Sequence, residues 1–300
     1  MREESFTATT QEKRIDTLLS ERFEQHSRAY FQEIIINGAV TINGKVAKKR
    51  TIPEIGDLIS VHFPPVDEIE LVAEDIPLDI LYEDEYLIAV NKPAGMVVHP
   101  APGHPRGTFV NALLFHCKNI GEVGEEHRPG IVHRLDKETS GVLLAAKTRH
   151  AHEKLTELFA TRQMHKEYVA VCIGNPGNGV VNQPIGRHKV HRKEMTICEK
   201  GKEAVTEFET IRFEEPFSLV RCKPKTGRTH QIRVHLKSLG TPILGDRIYG
   251  FEKMNTKLEA PRMLLHAHRL TFIHPLTEEK ISFEAPICFP KIKSSCIIEP

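Results

Sequence analysis

The chain has 300 residues and a hydrophobic fraction of 40%, enough for one large domain with a smaller one, or for two domains of similar size. No apolar run is long enough to cross a membrane, and the first five residues lack the apolar core of a signal peptide, so we expect a cytoplasmic protein that binds no membrane. Lys and Arg total 41 and Asp and Glu total 40, yet these charges are segregated along the chain, which favours a basic surface despite the net charge of +1.

Cysteines and histidines do not form a recognisable metal site. The 6 cysteines lack any C-x-x-C spacing, which favours free thiols and excludes a zinc ribbon. The 17 histidines include closely spaced pairs, but these have no acidic or cysteine partners at ligand spacing. No glycine-rich nucleotide-binding fingerprint is present either, so we expect neither a metal ion nor a cofactor.

Residues 13–62 predict a small separate domain in the order helix, helix, hairpin. Apolar residues at helical spacing mark one face of each helix: Ile15, Leu18, Leu19 and Phe23 in the first, and Phe31, Ile34 and Ile35 in the second. Ser27 can cap the second helix. Asn43-Gly44 lies between two short strands and readily takes the positive φ values of a type I′ turn, so it predicts a hairpin.

This segment resembles an S4 RNA-binding domain, a small α/β module. The resemblance implies that six of its side chains approach an RNA backbone: Arg14, Ser27, Arg28, Lys45, Lys48 and Lys49. A module that serves only as structure, or that contacts protein, is the alternative.

Residues 63–78 are predicted to form an acidic linker. From Asp67 to Glu85 the chain has nine acidic residues and no Lys or Arg, and prolines open the segment. Charge repulsion and prolines predict an extended, mobile connection, so that the two domains move relative to each other until RNA is bound.

Residues 79–300 form the second predicted domain, and Asp136 is its central candidate. An apolar strand at residues 87–90 ends at the loop of residues 92–95. Asp136 lies within residues 133–141, just before a buried strand predicted at residues 142–146, and therefore on a connection at the edge of a core. Taken alone, such an Asp is more often a turn former or a helix cap.

Two later segments carry further candidates. Residues 166–174 predict a strand in which Tyr168, Ala170 and Cys172 share a face, so Tyr168 could be a core residue. The helix predicted from Thr229 to Gly240 has an apolar face (Ile232, Leu236 and Leu239) and an adjacent polar one (Thr229, Arg233 and Lys237). Such a polar stripe is ordinarily a solvated surface.

In their order along the chain, these segments resemble the motifs of the RluA family of RNA pseudouridine synthases. The matching runs are residues 91–100, 133–141, 166–174, 224–235, 245–250 and 264–270. Short strands punctuated by Gly and Pro favour an α+β fold. The resemblance implies the pseudouridine synthase fold, in which a mostly antiparallel, bifurcated sheet carries a cleft across its middle.

The resemblance also implies the reaction, isomerisation of uridine to pseudouridine after the nucleotide is flipped out of the RNA. Asp136 would be the catalytic carboxylate, either as a nucleophile on C1′ or C6 or as the base that removes the 2′ proton. Tyr168 would stack on the base and could take the C5 proton. Arg233 would pair with Asp136 and hold it ionised.

The remaining implied contacts concern substrate binding. Arg134 would fill the vacated stack or hold its phosphate, and Leu265 would shield the site from water. His133 and Arg228 are further candidates for contact with the RNA backbone.

An S4-like domain in front of this catalytic pattern is most like the D-type branch, which modifies helix 69 of 23S ribosomal RNA. We therefore expect ribosomal RNA or a pre-ribosomal large subunit as the partner of a monomeric enzyme. A synthase for other uridines in ribosomal or transfer RNA is one alternative. A non-catalytic RNA-binding or ribosome-assembly factor is another, but the joint presence of Asp136, Tyr168 and Arg233 argues against a loss of catalysis.

Overall fold

The computed structural model describes residues 2–9, 11, 13–64, 71–101, 103–125 and 128–291. The chain divides into two units, Met1–Glu68 and Ile69–Pro300. Among the described residues, no helix is both long and apolar enough to cross a lipid bilayer.

The first unit is a four-stranded sheet with two helices. Its elements are β1 (Arg2–Thr7), α1 (Ile15–Arg22), α2 (Arg28–Ile36), β2 (Val40–Ile42), β3 (Lys45–Val46) and β4 (Leu58–Phe63). The strands pair antiparallel in the order β1-β4-β2-β3. The predicted order of helix, helix and hairpin is confirmed. Strand β1 was not predicted, because it carries a single large apolar residue, Phe6, and lacks clear alternation.

Two local predictions in this unit are confirmed. The Ser27 side chain accepts a hydrogen bond from the Tyr30 backbone N–H at 3.2 Å and thereby caps α2. Asn43 and Gly44 have φ values of 49° and 75°, the left-handed pair that a type I′ turn requires between β2 and β3. In both cases the short-range chemistry of one or two residues determines the local structure.

The second unit is an α+β structure built on one large sheet. Its elements are β5 (Ile80–Glu83), β6 (Leu87–Lys92), α3 (Phe109–His116), a short 3₁₀ helix (Ile120–Glu122), β7 (Gly124–Glu125), β8 (Arg128–Pro129), β9 (Ser140–Ala146), α4 (Arg149–Ala160), β10 (His165–Ile173), β11 (Asn178–Asn182), β12 (Ile185–Arg187), β13 (Met195–Ile197), β14 (Val205–Glu214), β15 (Phe217–Pro224), α5 (Gln231–Ser238), α6 (Glu252–Lys257), β16 (Leu265–Ile273) and β17 (Lys280–Glu284). Nine strands form the main sheet, and two small hairpins, β7-β8 and β12-β13, lie outside it.

The main sheet forks at β16. Its order is β11-β14-β15-β10-β16-β9-β6-β5, and β17 also pairs with β16. On the side away from β10, the start of β16 pairs parallel with β9 through His266 and Ala267, whereas the rest pairs antiparallel with β17 from Arg269 to Ile273. All other neighbouring strands in this sheet are antiparallel. The bifurcated, mostly antiparallel sheet expected for the fold is therefore present.

Strand β9 lies at the centre of the largest core. All seven of its residues are buried, which confirms the buried strand predicted at residues 142–146. Leu155 of α4, together with Phe109 and Leu113 of α3, belongs to the same apolar cluster. Thr148 caps α4, and Thr108 forms a capping box with Asn111 at the start of α3. The core thus holds rigid the start of β9, where the loop that carries Asp136 ends.

The acidic segment differs from its prediction as a free linker. Residues 65–70 lie outside the described residues. Beyond them, Asn111 Nδ2 donates to the Val72 carbonyl at 2.7 Å, and the Glu74 backbone N–H donates to the Asn111 carbonyl at 3.0 Å. The Gly107 N–H also reaches the Glu74 carboxylate at 3.3 Å. Residues 72–74 are therefore held within the second unit by hydrogen bonds to residues at the start of α3, and they are not a free connection.

Gly141 should be required for the pairing of β9 with β16. Its φ is +110°, and an added Cβ would lie 2.2 Å from the Ala267 carbonyl oxygen, too close for any backbone to accept. We expect Gly141→Ala to lower the free energy of unfolding by about 3 kcal/mol or more, through strain and overpacking. Gly177→Ala is the matched control, since its φ is +69° and its added Cβ would meet nothing within 4 Å. The control should lose only about 1 kcal/mol. Equal losses in urea unfolding of the two full-length variants would contradict this account.

Candidate active site

Asp136 lies on the connection between β8 and β9, and a buried lysine fixes this loop. Lys92 is 0% exposed. Its Nζ donates to the carbonyl oxygens of Pro93, Met96 and Lys137 at 2.8, 3.0 and 3.2 Å. Because one ammonium satisfies carbonyls from two loops, the residue after Asp136 is tied to the turn that follows β6.

Arg233 bridges two carboxylates in the cleft. Its Nη1 donates to Asp136 Oδ2 at 2.9 Å, while Nε and Nη2 donate to Asp246 Oδ2 and Oδ1 at 2.7 and 3.0 Å. Burial by itself would lower the pKa of Arg233, but hydrogen bonds and charge from Asp246 and Asp136 outweigh it and raise this pKa. The guanidinium therefore stays charged. The expected contact between Arg233 and Asp136 is present.

Asp246 was not predicted as part of the site. It is 1% exposed, and its Oδ1 also accepts the backbone N–H groups of Ile248 and Tyr249 at 2.9 and 3.0 Å. Burial would raise the pKa of Asp246, but the bonds and charge of Arg233 lower it overall. Asp246 lies in one of the matching runs, residues 245–250, and this position could have marked it as a candidate. A buried carboxylate needs a cation, and Arg233 can bond a second carboxylate besides Asp136.

The helix that carries Arg233 begins later than predicted. It starts at Gln231 rather than near Thr229 and ends at Ser238 rather than Gly240. The Gln231 side chain accepts from Thr226 Oγ1 at 2.7 Å and from the Arg228 backbone N–H at 3.0 Å, which keeps residues 226–230 in a loop. Arg233 is 7% exposed and bonded to two carboxylates, although a polar stripe of this kind is ordinarily solvated.

His230 is a second residue that the sequence analysis missed as a site candidate. It precedes α5 with a left-handed backbone, φ 56°. Its Nε2 lies 3.9 Å from Asp136 Oδ2, and its Nδ1 lies 2.8 Å from the Tyr249 hydroxyl. Burial lowers the pKa of His230, and the positive charge of Arg233 acts in the same direction against the opposing charges of Asp136 and Asp246.

Tyr168 and Leu265 form an apolar wall of the cleft. Tyr168 is on β10, opposite Cys222 of β15 and Ala267 of β16. Burial, followed by the charge of Asp136, raises the pKa of Tyr168, so the phenol keeps its proton. Leu265, at the start of β16, is 4% exposed and belongs to the cluster against which Tyr168 packs. Tyr168 thus lines the cleft and also contacts the core.

A cavity of about 530 Å³ unites the candidates of this unit. Seven predicted residues line it: Asp136, Tyr168, Arg233, Arg134, Leu265, Arg228 and His133. Lys166 lines it as well and was not predicted; burial and the nearby charge of Arg228 lower the pKa of Lys166 to about 8. Arg134 is exposed, and Arg228 donates through Nε to the Glu203 carbonyl at 2.8 Å. The cleft therefore combines one accessible carboxylate, an apolar wall and several cations.

The structure does not support His133 as a cationic contact for RNA. Its Nε2 accepts the Leu144 backbone N–H at 2.9 Å, and its ring stacks on Phe159 with centroids 4.7 Å apart. Burial, with a smaller effect of the Lys166 charge, lowers the pKa of His133 to about 3. A neutral ring used to hold β9 has no positive charge to offer a phosphate.

The six predicted residues of the first unit divide into three groups. Lys45, Lys48 and Lys49 are exposed. Arg14 and Arg28 instead pair with Asp16, which is 0% exposed, at 3.1 and 3.0 Å. A buried carboxylate requires such partners, so these two guanidinium groups have a structural task that the sequence analysis did not foresee. Ser27 caps α2, as described above.

Metal-binding side chains come together outside the cleft. Among the described residues, Glu83, His116 and Cys117 could share an ion, but Lys147 already pairs with Glu83 at 2.8 Å. None of these four lines the cavity.

Known proteins similar to this chain include RNA-modifying enzymes. The family model for RNA pseudouridylate synthase matches residues 86–238, and the S4 domain model matches residues 13–59. A Bacillus subtilis protein described as an uncharacterized RNA pseudouridine synthase is 42% identical, covering 96% of this chain and 95% of its own length. The ribosomal large subunit pseudouridine synthase D of Vibrio vulnificus is 42% identical, covering 92% of this chain and 87% of its own. The solved structure of human RNA pseudouridylate synthase domain containing 1 is 28% identical with a TM-score of 0.58, covering 70% of this chain and 83% of that one.

His133 should remain neutral far below the usual range of histidine. In ¹⁵N-detected NMR titrations of the folded protein, we expect no change in its ring signals from pH 8 down to about 4, with the proton on Nδ1, because its pKa is lowered to about 3. In the urea-unfolded chain the same residue should titrate near 6.5. Between these values the unfolded chain binds the proton and the folded one does not, so His133 lowers stability as the pH falls. Titration near 6.5 in the folded state would refute this assignment.

Proposed function

The chain belongs to the RNA pseudouridylate synthase family, and we propose that it modifies 23S ribosomal RNA in the region of helix 69, with Asp136 as its catalytic carboxylate. It is an isomerase that converts uridine in RNA to pseudouridine. One observation carries the assignment of Asp136: its carboxylate faces the cavity beside Tyr168 and is held by a buried arginine.

The reaction moves the ribose from one atom of the base to another. The bond between C1′ and N1 breaks, a bond between C1′ and C5 forms, and the proton on C5 is lost while N1 gains one. Atoms and electrons balance within the substrate, so no cofactor is needed. A base in a stem or folded loop must first leave its stack, and the exposed Arg134 at the cavity is placed to fill the gap or hold the phosphate.

The protein contributes a carboxylate in a partly dry cleft. Attack on C1′, attack on C6 and removal of the 2′ proton all use a carboxylate oxygen of Asp136, which Arg233 holds in place through a hydrogen bond. Tyr168 supplies the face on which the base stacks, and Leu265 keeps water from the reacting atoms. The Tyr168 phenol keeps its proton and so is not available as a base for the C5 proton. Its main role is therefore to stack on the target base.

The choice of ribosomal RNA rests on the relatives and on the first unit. Relatives that carry the name ribosomal large subunit pseudouridine synthase D match this chain across both units. The S4 domain adds an exposed group of lysines, Lys45, Lys48 and Lys49, that suits a structured RNA backbone. Ribosomal RNA or a pre-ribosomal large subunit is then the partner, and the cytoplasm is where the two would meet.

Asp136→Asn should abolish pseudouridine formation while leaving RNA binding intact. The substitution keeps the volume and removes the charge, and we expect the single-turnover rate to fall by about 10³-fold or more. Tritium release from C5-labelled uridine measures the reaction, and filter binding measures the affinity. Asp75→Asn is the matched control, since Asp75 is exposed and does not line the cavity. A full rate in Asp136→Asn would remove Asp136 from the mechanism.

Replacing Lys45, Lys48 and Lys49 together by Gln should weaken binding to a helix 69 RNA. Each lost phosphate contact reduces the slope of log affinity against log salt by about 0.7 to 0.9, so we expect a slope shallower by about 2. The rate at saturating RNA should change by less than about twofold, since these residues lie in the first unit, outside the residues that line the cavity.

A triple variant of three exposed lysines in the second unit, Lys253, Lys257 and Lys280, removes the same charge and serves as the control. Equal salt slopes for the two triple variants would show that the lysines of the first unit do not contact this RNA.

A further inference from the structure

His230 is held in an unusual position beside the catalytic carboxylate. Its backbone is left-handed, φ 56°, a conformation that few residues other than glycine adopt. His230 also lines the cavity. Left-handed residues of this kind persist where the surrounding structure requires them, and they cluster at functional sites.

Hydrogen bonds fix which ring nitrogen of His230 carries the proton. The Met195 backbone N–H donates to the Tyr249 hydroxyl oxygen at 2.7 Å, so the hydroxyl proton points elsewhere. Tyr249 is 3% exposed, and the His230 Nδ1 at 2.8 Å is the acceptor in reach. With Nδ1 accepting, Nε2 bears the proton of the neutral ring.

The Nε2–H of His230 and the carboxylate of Asp136 face each other across a small gap. The distance from Nε2 to Oδ2 is 3.9 Å, too long for a direct hydrogen bond. A separation of 3.9 Å lets a third polar atom lie about 2.8 Å from both and bond each of them. Only a group that accepts on one side and donates on the other satisfies both partners, and a hydroxyl does so.

We propose that this gap binds the ribose 2′-hydroxyl of the target uridine, which accepts a hydrogen bond from His230 Nε2–H and donates one to Asp136. The inference rests on the proposed function. Asp136 must reach C1′ or an atom next to it, and the 2′-hydroxyl is attached to the neighbouring carbon. Tyr168 and Leu265 line the same cavity as His230 and Asp136, so a base placed against the first two can bring its sugar to the gap between the second two.

The consequence is that His230 makes the enzyme select ribose over deoxyribose at the target position. Removing the hydroxyl leaves the Nε2–H without a partner, which disfavours the deoxy substrate. His230 is thus a specificity-determining residue that contacts substrate, and nothing in its role requires a change of charge.

A double-substitution cycle tests this contact. Two synthetic helix 69 stem-loops differ at one target nucleotide, which carries either uridine or 2′-deoxyuridine, and single-turnover rates are measured for the wild type and His230→Asn. Asn tolerates the left-handed backbone but is too short to reach the gap. The intrinsic electronic effect of the missing hydroxyl is common to both proteins and cancels in the ratio.

We expect the preference of the wild type for the ribose substrate to shrink by about tenfold or more in His230→Asn, with similar rates for the two proteins on the deoxy substrate. His230→Gln, whose amide can place an N–H near the position of Nε2, should recover part of the preference. His150→Asn, the same change at an exposed residue outside the cavity, should keep all of it. Thermal melts of each variant monitor folding.

An unchanged preference in His230→Asn overturns the inference, because a water-filled gap or a purely structural histidine predicts no coupling to the 2′-hydroxyl. If the wild type forms no pseudouridine in the all-ribose RNA, the proposal that this RNA is the substrate fails instead. Dissociation constants are then measured for both proteins with both RNAs. If the two proteins prefer ribose over deoxyribose equally, the contact between His230 and the 2′-hydroxyl is rejected independently of the reaction.

Discussion

The bridge made by Arg233 between Asp136 and Asp246 is the interaction on which the cleft depends. It joins residues 97 and 13 positions apart in sequence, so one guanidinium holds the central loop, α5 and the segment after α5 in register. A buried cation with two carboxylates leaves the trio with one negative charge. Asp246 takes two of the three hydrogen bonds and Asp136 only one, so Asp136 remains free to act. Losing Arg233 would leave two carboxylates without their shared cation, whereas losing either carboxylate leaves the guanidinium paired with the other one.

Features decided by neighbouring residues were predictable from the sequence. The cap at Ser27, the turn at Asn43-Gly44 and the buried strand within β9 all follow from local chemistry or from a run of apolar residues. The resemblance to a family supplied the fork of the sheet and the pairing of Arg233 with Asp136, neither of which local patterns contain. Asp246 and His230 escaped prediction because their partners are distant in sequence, and α5 starts late because the side chain of Gln231 competes for the helix start.

In the first unit, one buried carboxylate gives two arginines a structural role. Asp16 is fully buried, and burial would raise its pKa, but hydrogen bonds from Arg28 and Gln32 and the charges of Arg28 and Arg14 lower this pKa overall. The two arginines are themselves partly exposed, but their guanidinium groups supply the charge that a buried carboxylate needs. Because the pKa of Asp16 is lower in the folded state, its ionised carboxylate stabilises the first unit at pH values above the ordinary pKa of an Asp. This stabilisation should be lost as the pH falls through the lowered pKa and Asp16 is protonated. The exposed lysines are not among the residues that stabilise the Asp16 carboxylate.

The ammonium of Lys92 has a consequence for how the site comes into being. A lysine with no exposure is tolerable only when its protons meet acceptors, and here all three acceptors are carbonyls of loops that have no regular structure. Burial lowers the pKa of Lys92 to about 7, so each carbonyl that accepts from its ammonium helps to retain a charge that burial opposes. The position of the loop that carries Asp136 is thereby coupled to the turn that follows β6, since Lys92 bonds carbonyls of both. A change that disorders this turn should also displace Asp136, although the turn itself does not line the cavity.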